Sequence, residues 1–230
     1  MFFSIGICTY NRLSILSETL NSIAKWLPTE KFELIIADNN SSDGTSDYIE
    51  LFCKQHPYID IKYIAVETQG LSYARNEILN NSKYENIIFL DDDAVLASDI
   101  ISAYEKAISC NPNCYIFGGR VMPNEKVKPP IWFSSEFYML YSILDHGSKT
   151  KMFPNKSGPI GANFMVMASK ISGVRFRTDL GRVGNSLASG EETDFLSRIG
   201  IDKNNAIYVG EAVVHHCFPN ERYTIEWAYS

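Results

Sequence analysis

The sequence predicts an α/β fold in which a mostly parallel sheet is covered by helices on both faces. Two observations support this prediction. Short apolar segments alternate with helical patterns along the first half of the chain, and polar clusters directly follow three of those segments. Parallel strands that are buried on both faces are almost continuously apolar. Because ligands bind beyond the carboxyl ends of such strands, the polar clusters indicate where a site would lie.

The first half of the chain contains five predicted strands. Each is short, apolar and rich in β-branched or aromatic residues. Between the strands, apolar residues recur at spacings of three and four, which is typical of an amphipathic helix. The predicted strands are residues 3–8, 32–37, 59–66, 86–90 and 115–118, and the helices between them include residues 13–23, 48–53, 71–79 and 97–109.

The second half of the chain is less regular. We expect a loop with an aromatic anchor at 129–133, a strand at 161–167, a helix at 190–199, and two short strands at 206–209 and 212–215. Because no repeat or flexible linker interrupts the chain, we expect a single domain over residues 1–230.

The composition excludes several classes of protein. The 230 residues are 45% hydrophobic and 21% charged, which excludes intrinsic disorder, and no apolar run approaches the roughly 20 residues that span a bilayer. We therefore expect at most peripheral contact with a membrane. A net charge of −6 argues against nucleic acid as a partner. The N-terminus lacks the basic region of a signal peptide, so we expect a cytoplasmic protein, free or peripheral at the inner face of the membrane.

The five cysteines are expected to be reduced thiols. The number is odd, and a cytoplasmic protein rarely forms disulfides. Cys110 and Cys114 could form half of a zinc site, and His215, His216 and Cys217 the other half. The spacing matches no common zinc module, so a structural zinc site is disfavoured.

Asp91-Asp92-Asp93 is the strongest single indication of chemistry. In an extended segment, residues i and i+2 point the same way, so Asp91 and Asp93 can face one ligand. Paired carboxylates suit a hard divalent cation such as Mg²⁺ or Mn²⁺. The alternative is a solvated acidic turn. The position directly after a buried strand favours the cation site.

The order of motifs along the chain resembles that of family 2 glycosyltransferases with the GT-A fold, a Rossmann-like nucleotide-binding fold. The resemblance covers about residues 4 to 225, and the ordered set is far more specific than any one motif. The motifs are Ser4–Arg12, Ile36–Thr45, Gly70–Asn76, Phe89–Asp93, Gly118–Val121, Pro130–Trp132, Gly161–Asn163, Gly190–Asp194 and His216 with Arg222.

This resemblance implies an inverting, metal-dependent transferase. An acceptor hydroxyl would attack a nucleotide-sugar, usually a UDP-sugar in this family, and the product would be a cell-surface polysaccharide or another glycan. The partners would be the nucleotide-sugar donor and a saccharide or lipid-linked saccharide acceptor. The nucleotide-binding half would span about residues 1–118 and the acceptor-binding half about residues 119–230.

The resemblance also assigns roles to individual residues. The proposed base is Glu192, which stands where the family usually has Asp, with Glu191 beside it. The metal ligands would be Asp93, Asp91 and His216, and the acceptor-side candidates are Trp132 and Arg222. The residues implied to contact the nucleotide-sugar are Thr9 and Asn11 near the nucleoside, Asp38 at the uracil, Arg75 near the base and diphosphate, Asp91 at the ribose, Asp92 and Asn163.

Several of these residues have simpler explanations. Asp38 could cap the turn that follows it, Trp132 could be packing, and Glu191 could be an acid favoured at a helix N-terminus. Two other functions also remain open. One is a catalytically inactive nucleotide-sugar binder. The other is a sugar-1-phosphate nucleotidylyltransferase, which is disfavoured because the loop Thr9–Arg12 lacks glycine.

Overall fold

The computed structural model describes residues 1–27, 31–124, 127, 129–154, 157–183, 189–202 and 204–228. Over these residues, one continuous sheet of nine strands runs through both halves of the chain. The strands lie in the order β3 (Asp60–Ala65), β2 (Phe32–Asp38), β1 (Phe3–Thr9), β4 (Asn86–Asp91), β8 (Asn163–Met167), β6 (Ile116–Pro123), β9 (Ala206–His216) and β5 (Ala94–Leu96), and β7 (Lys151–Met152) pairs with β9.

The first half of the sheet is parallel, as predicted. Its strands are β1 (Phe3–Thr9), β2 (Phe32–Asp38), β3 (Asp60–Ala65) and β4 (Asn86–Asp91). The crossovers contain helices α1 (Leu13–Trp26), α2 (Thr45–Gln55) and α3 (Leu71–Asn81). In the register, Thr9 pairs with Asp38 and Cys8 with Asp91, so the three central strands end at the same edge.

The second half adds antiparallel strands to the same sheet. β8 lies between β4 and β6 and is antiparallel to both, whereas β6 and β9 are parallel. The remaining elements are β5 (Ala94–Leu96), α4 (Ile100–Cys110), β6 (Ile116–Pro123), β7 (Lys151–Met152), β8 (Asn163–Met167), α5 (Glu191–Arg198), β9 (Ala206–His216) and α6 (Ile225–Ala228), with 3₁₀ helices at Ser135–Tyr141, Ala168–Lys170 and Asn220–Tyr223.

The prediction of two short strands at 206–209 and 212–215 is wrong, because β9 is continuous over both. The register against β6 jumps from Gly119 opposite Val209 to Arg120 opposite Val213. Three residues of β9 therefore bulge out without leaving the sheet. Because β9 is continuous, His216 at its end lies at the same edge of the sheet as Asp91.

A second, smaller apolar cluster lies beside the main core. Its buried members are Tyr141, Ile143 and Phe218, and six partly buried aromatic side chains pack against them. We refer to this group as the aromatic cluster; the six are Trp132, Phe133, Phe137, Tyr138, Tyr223 and Trp227.

Two further features of the structure concern the cysteines and the helices. Every cysteine is a free thiol, as expected. Among the described residues, no helix combines the length and the apolar character needed to cross a bilayer.

Candidate functional site

A cleft of about 450 Å³ opens where β1 and β4 end. It lies at the edge of the sheet that the polar clusters predicted. Its lining is rich in charged side chains and includes Arg12, Arg75, Asp91, Asp92, Asp93, Arg182, Glu191, Glu192, His216 and Arg222.

Asp91, Asp93 and His216 meet in this cleft. One potential ligand atom from each lies within 4.8 Å of the others. Nδ1 of His216 donates to the carbonyl oxygen of Tyr141 at 2.9 Å, which leaves Nε2 directed at Oδ1 of Asp93, 3.2 Å away. Oδ1 of Asp93 is buried, and apart from this contact with Nε2 it has no hydrogen-bond partner within the described part of the chain. Two carboxylates and an imidazole that converge in this way fit a divalent cation such as Mn²⁺ or Mg²⁺.

The two carboxylates differ in their pKa values. Burial raises the pKa of Asp91, and the partial compensation by Arg75 does not reverse that rise. Burial acts in the same direction on Asp93, but His216 and Arg12 outweigh it and hold the pKa of Asp93 well below its usual range. Burial disfavours the His216 cation, yet the neighbouring Asp93 raises the pKa of His216. Asp93 is therefore the constantly ionised member of the trio.

Arg12 joins the two aspartates that follow Asp91. Its guanidinium donates Nη1 to Asp92 at 2.7 Å and Nη2 to Asp93 at 2.6 Å. The second oxygen of Asp92 accepts from the hydroxyl of Thr9 at 2.9 Å. Both carboxylate oxygens of Asp92 are thus occupied by the protein. Asp92 holds Arg12 and Thr9 in place and also lines the cleft, so its predicted contact with the nucleotide-sugar stays a prediction.

Arg75 is the centre of a second charged group. Its buried guanidinium donates Nη1 to Glu191 at 2.8 Å and to Glu192 at 2.9 Å, and Nη2 lies 3.5 Å from Asp91. Helix α3 therefore links the acids that start α5 to the end of β4. The predicted metal residues and the predicted base residues lie on the two sides of one arginine.

The two glutamates are not equivalent. Burial raises the pKa of Glu191 to about 7, despite Arg75. Burial opposes ionisation of Glu192 as well, but Arg75 and a hydrogen bond from Glu191 outweigh it, and the pKa of Glu192 is lowered. The Glu192 side chain is also 23% exposed, against 3% for Glu191. Glu192 is the ionised, accessible carboxylate of the pair.

Two further arginines, Arg182 and Arg222, also line the cleft. Burial lowers the pKa of Arg222. Its guanidinium lies 5.4 Å from the ring centre of Trp227, and its carbonyl oxygen accepts from the hydroxyl of Tyr141 at 2.6 Å. Together with Arg12, these side chains provide positive charge for an anionic ligand.

The residues predicted to lie near the nucleoside occupy neighbouring loops. Asn11 has a left-handed backbone with φ of 50°, and its side-chain oxygen accepts from the backbone N–H of Ser42 at 2.7 Å. Asp38 accepts from the backbone N–H of Ser41 and from the hydroxyl of Tyr63, each at 3.0 Å. Asp38 therefore has the turn-capping role that its position allowed, and whether it also contacts a base remains a prediction.

Two of the predicted site residues, Asn163 and Trp132, lie outside the cleft. Asn163 is fully buried, and its amide bonds to the hydroxyl of Tyr104 at 2.8 Å and to the carbonyl of Ala212 at 3.0 Å. A side chain enclosed in this way cannot contact a sugar, so its assignment to the nucleotide-sugar site is wrong. Trp132 packs edge-on against Phe137 within the aromatic cluster, with ring centres 5.4 Å apart, rather than lining the cleft.

Sequence reasoning missed the part that Gly161 plays in the site. A Cβ at this position would lie 2.1 Å from Oε1 of Glu192 and 2.6 Å from Nη2 of Arg75. The ion pair is thus packed directly on the backbone of residue 161. The motif Gly161–Asn163 contained this signal, but we assigned it to Asn163.

The chain belongs to glycosyl transferase family 2, whose model matches residues 4–173. It is similar to the succinoglycan biosynthesis protein ExoM of Rhizobium meliloti, with 27% identity over 230 residues that cover 99% of this chain and 70% of ExoM.

Solved structures support the GT-A fold. S. aureus TarS 1-349 in complex with UDP superposes with a TM-score of 0.71 at 19% identity, over 97% of this chain and 62% of TarS 1-349. The mannosyltransferase PcManGT of Pyrobaculum calidifontis, in complex with GDP-Man and Mn²⁺, gives a TM-score of 0.68 at 18% identity, over 96% of this chain and 58% of that protein. This chain therefore spans less than two thirds of either solved chain, and at these identities the likeness shows the fold alone.

Proposed function

We propose that this protein is a metal-dependent, inverting glycosyltransferase that moves a sugar from a nucleotide-sugar to an acceptor hydroxyl during polysaccharide or other glycan biosynthesis. One observation carries the proposal. A carboxylate–imidazole trio that fits a divalent cation and an ionised glutamate line the same cleft, on the two sides of Arg75. Family membership and the name of ExoM support the same class of reaction.

The leaving group would be a nucleoside diphosphate. A divalent cation held by Asp91, Asp93 and His216 would offset the charge that develops on the diphosphate. The chain adds its own cations, since Arg182 and Arg222 line the cleft. Arg12 is already paired with two aspartates, so its main contribution is to hold Asp93 in place.

Glu192 is the proposed general base. In an inverting transfer, the acceptor oxygen attacks the anomeric carbon as the bond from that carbon to the diphosphate breaks, and the hydroxyl proton passes to one carboxylate. Glu192 is the ionised and more exposed member of the glutamate pair. Arg75 holds its Oε1 at 2.9 Å, which leaves the other oxygen to accept the proton. No covalent intermediate is needed.

The donor is proposed to carry a nucleoside diphosphate, with UDP as the first choice. Thr9 and Asp38 end β1 and β2, and Asn11 lies in the loop after β1; the resemblance assigns the nucleoside to this region. TarS has been solved with UDP and PcManGT with GDP-Man, so related folds accept different bases. The donor screen should therefore include nucleotide-sugars with different nucleobases.

The acceptor is proposed to be a saccharide, free or linked to a lipid, that enters from the side of the aromatic cluster. Met139 and Ser142 come from this side and line the cleft. We propose a cytoplasmic location, with at most peripheral contact with the inner face of a membrane.

The test is a screen of nucleotide-sugars with Mn²⁺ and with a chelator, read as donor hydrolysis or transfer. We expect turnover of one donor that requires the metal. Glu192→Gln should bind that donor with unchanged affinity and lose at least about 100-fold in kcat, because only proton removal is impaired. Near-normal kcat in Glu192→Gln would show that another group is the base.

A further inference from the structure

Glu191 is the more deeply buried of the two glutamates that begin α5. Its Oε1 and the Oε1 of Glu192 accept from the same nitrogen, Nη1 of Arg75, at 2.8 and 2.9 Å. Oε2 of Glu191 is buried and has no donor among the described residues. A carboxylate in this position would keep a negative charge on an oxygen that nothing neutralises, which is unfavourable in a buried site.

The charges around Glu191 do not balance if every acid is ionised. The groups that face it are Arg75 on α3, Glu192 on α5 and Cys8 on β1. Burial raises the pKa of Cys8, so this residue remains an uncharged thiol. Nη2 of Arg75 also lies 3.5 Å from Oδ1 of Asp91. One guanidinium thus faces three carboxyl groups, and a proton on one of them reduces the excess negative charge from −2 to −1.

We propose that Glu191 carries this proton at neutral pH and donates it in a hydrogen bond to Glu192, so that Glu191 is a positioning residue that keeps Glu192 ionised and oriented towards the acceptor. This inference rests on the proposed function. Glu191 does not touch the reacting atoms, and its proton is not consumed. The proton that leaves the acceptor hydroxyl goes to Glu192, while the electron pair of the broken sugar–phosphate bond leaves with the diphosphate.

The burial of Glu191 supports the assignment through its pKa, which is raised to about 7, while the pKa of Glu192 is lowered. Glu191 is the residue on which the shared proton is more stable. When Glu191 loses it at higher pH, two adjacent carboxylates compete for Nη1 of Arg75, and Glu192 loses its donor.

The first experiment compares the pH dependence of kcat for the wild type, Glu191→Gln and Glu192→Gln at saturating donor and Mn²⁺, from about pH 5 to about pH 9. Glutamine mimics a protonated glutamate in shape and can donate a hydrogen bond. We expect Glu191→Gln to lose up to about 10-fold in kcat at neutral pH, far less than Glu192→Gln, and to lack the further loss of activity expected of the wild type above about pH 7. Glu192→Gln should be inactive throughout.

The outcomes separate the two proposals. If Glu191→Gln is as inactive as Glu192→Gln, the proton assignment is overturned and the proposed base stands. If Glu192→Gln remains active, the base assignment fails, and the role given to Glu191 fails with it. A wild-type profile identical in shape to that of Glu191→Gln also overturns the inference.

A second measurement needs no variant and no turnover. The wild-type protein is labelled with ¹³C on its glutamate side-chain carboxyl groups and titrated by NMR. We expect one glutamate carboxyl to keep the chemical shift of the protonated form at about pH 6 and to titrate near pH 7. The buried Asp92 is invisible to this label. If every glutamate in the folded protein is ionised at about pH 6, the inference is wrong.

Discussion

Nε2 of His216 lies 3.2 Å from Oδ1 of Asp93, although the two residues come from opposite halves of the sequence. Asp93 follows β4, and His216 is the last residue of β9. The pairing of β5 with β9 brings them together, since Ala94 is opposite His216 in that register. The carbonyl of Tyr141 fixes the imidazole from behind. Strand pairing thus brings together two potential metal ligands that lie far apart in the sequence.

Asp93→Asn is expected to remove metal binding. An amide oxygen is a weaker ligand than a carboxylate, and the neutral amide no longer offsets the charge of the cation or of Arg12. In a thermal-shift titration with Mn²⁺ and UDP, the variant should lose the metal-dependent rise in Tm. The control is Asp99→Asn, which changes a carboxylate at the N-cap of α4, where asparagine is an equally good cap. If both variants respond like the wild type, Asp93 is not a metal ligand.

Arg12→Met should destabilise the protein, and Mn²⁺ should restore part of the loss. Removing the guanidinium leaves Asp92 and Asp93 buried without their shared cation. We expect a loss of about 2 kcal/mol in the free energy of unfolding, below the roughly 3–5 kcal/mol of a fully buried pair, because the Arg12 side chain is 32% exposed. A divalent cation can neutralise the same carboxylates, so Mn²⁺ should raise the Tm of the variant more than that of the wild type.

The matched control for that measurement is Arg120→Met. Arg120 forms a half-buried ion pair with Asp145, with Nε to Oδ1 at 2.7 Å, and neither residue lines the cleft. This variant should also lose stability, but Mn²⁺ should shift its Tm no more than that of the wild type. An equal metal response in both arginine variants would contradict the role given to Arg12.

Gly161→Ala is expected to lower kcat by about 100-fold or more while the protein stays folded. The new methyl group would push Glu192 and Arg75 apart, since both lie within 3 Å of its position. Gly158→Ala is the control, because its Cβ would meet only the end of the Ile201 side chain, at 3.3 Å. Activity is measured at saturating donor with circular dichroism as the folding check. A fully active Gly161→Ala enzyme would show that the Arg75–Glu192 contact is not needed.

The stability difference between the wild type and Glu191→Gln should depend on pH. The pKa of Glu191 is raised from 4.5 to about 7 in the folded protein. Below about pH 4.5 the carboxyl is protonated in both states, and between that value and about pH 7 the unfolded chain releases the proton first. The wild type should therefore lose stability relative to Glu191→Gln across this window and stay level above it. Urea unfolding at several pH values measures the difference, and a wild type that gains stability relative to Glu191→Gln as the pH rises from about 4.5 to about 7 would contradict the assigned direction.

The sequence was sufficient to predict the sheet edge and most of its acids. Apolar strands and the polar residues that follow them are local patterns, and parallel strands bring their carboxyl ends together. This is why Asp91 and Asp93 could be predicted to lie together at that edge, whereas the placement of Glu192 near them was implied only by the resemblance to glycosyltransferases.

The errors concern which way individual polar side chains face. Asn163 follows a glycine motif and starts β8, but only the packing of Tyr104 from α4 shows that its amide is enclosed. Arg12 lies in a loop of polar residues, and nothing local indicates that it reaches the carboxylates after β4. That contact depends on the pairing of β1 with β4, which places Cys8 opposite Asp91.

The central claim is that this cleft holds a nucleoside diphosphate through a divalent cation bound by Asp91, Asp93 and His216. Isothermal titration calorimetry of the wild-type protein with UDP and with GDP, each in Mn²⁺ and in excess chelator, tests it most directly. We expect one of the two nucleotides to bind in Mn²⁺ and to lose at least about 10-fold in affinity in chelator. Equal affinity under both conditions, or no binding of either nucleotide, would contradict the account.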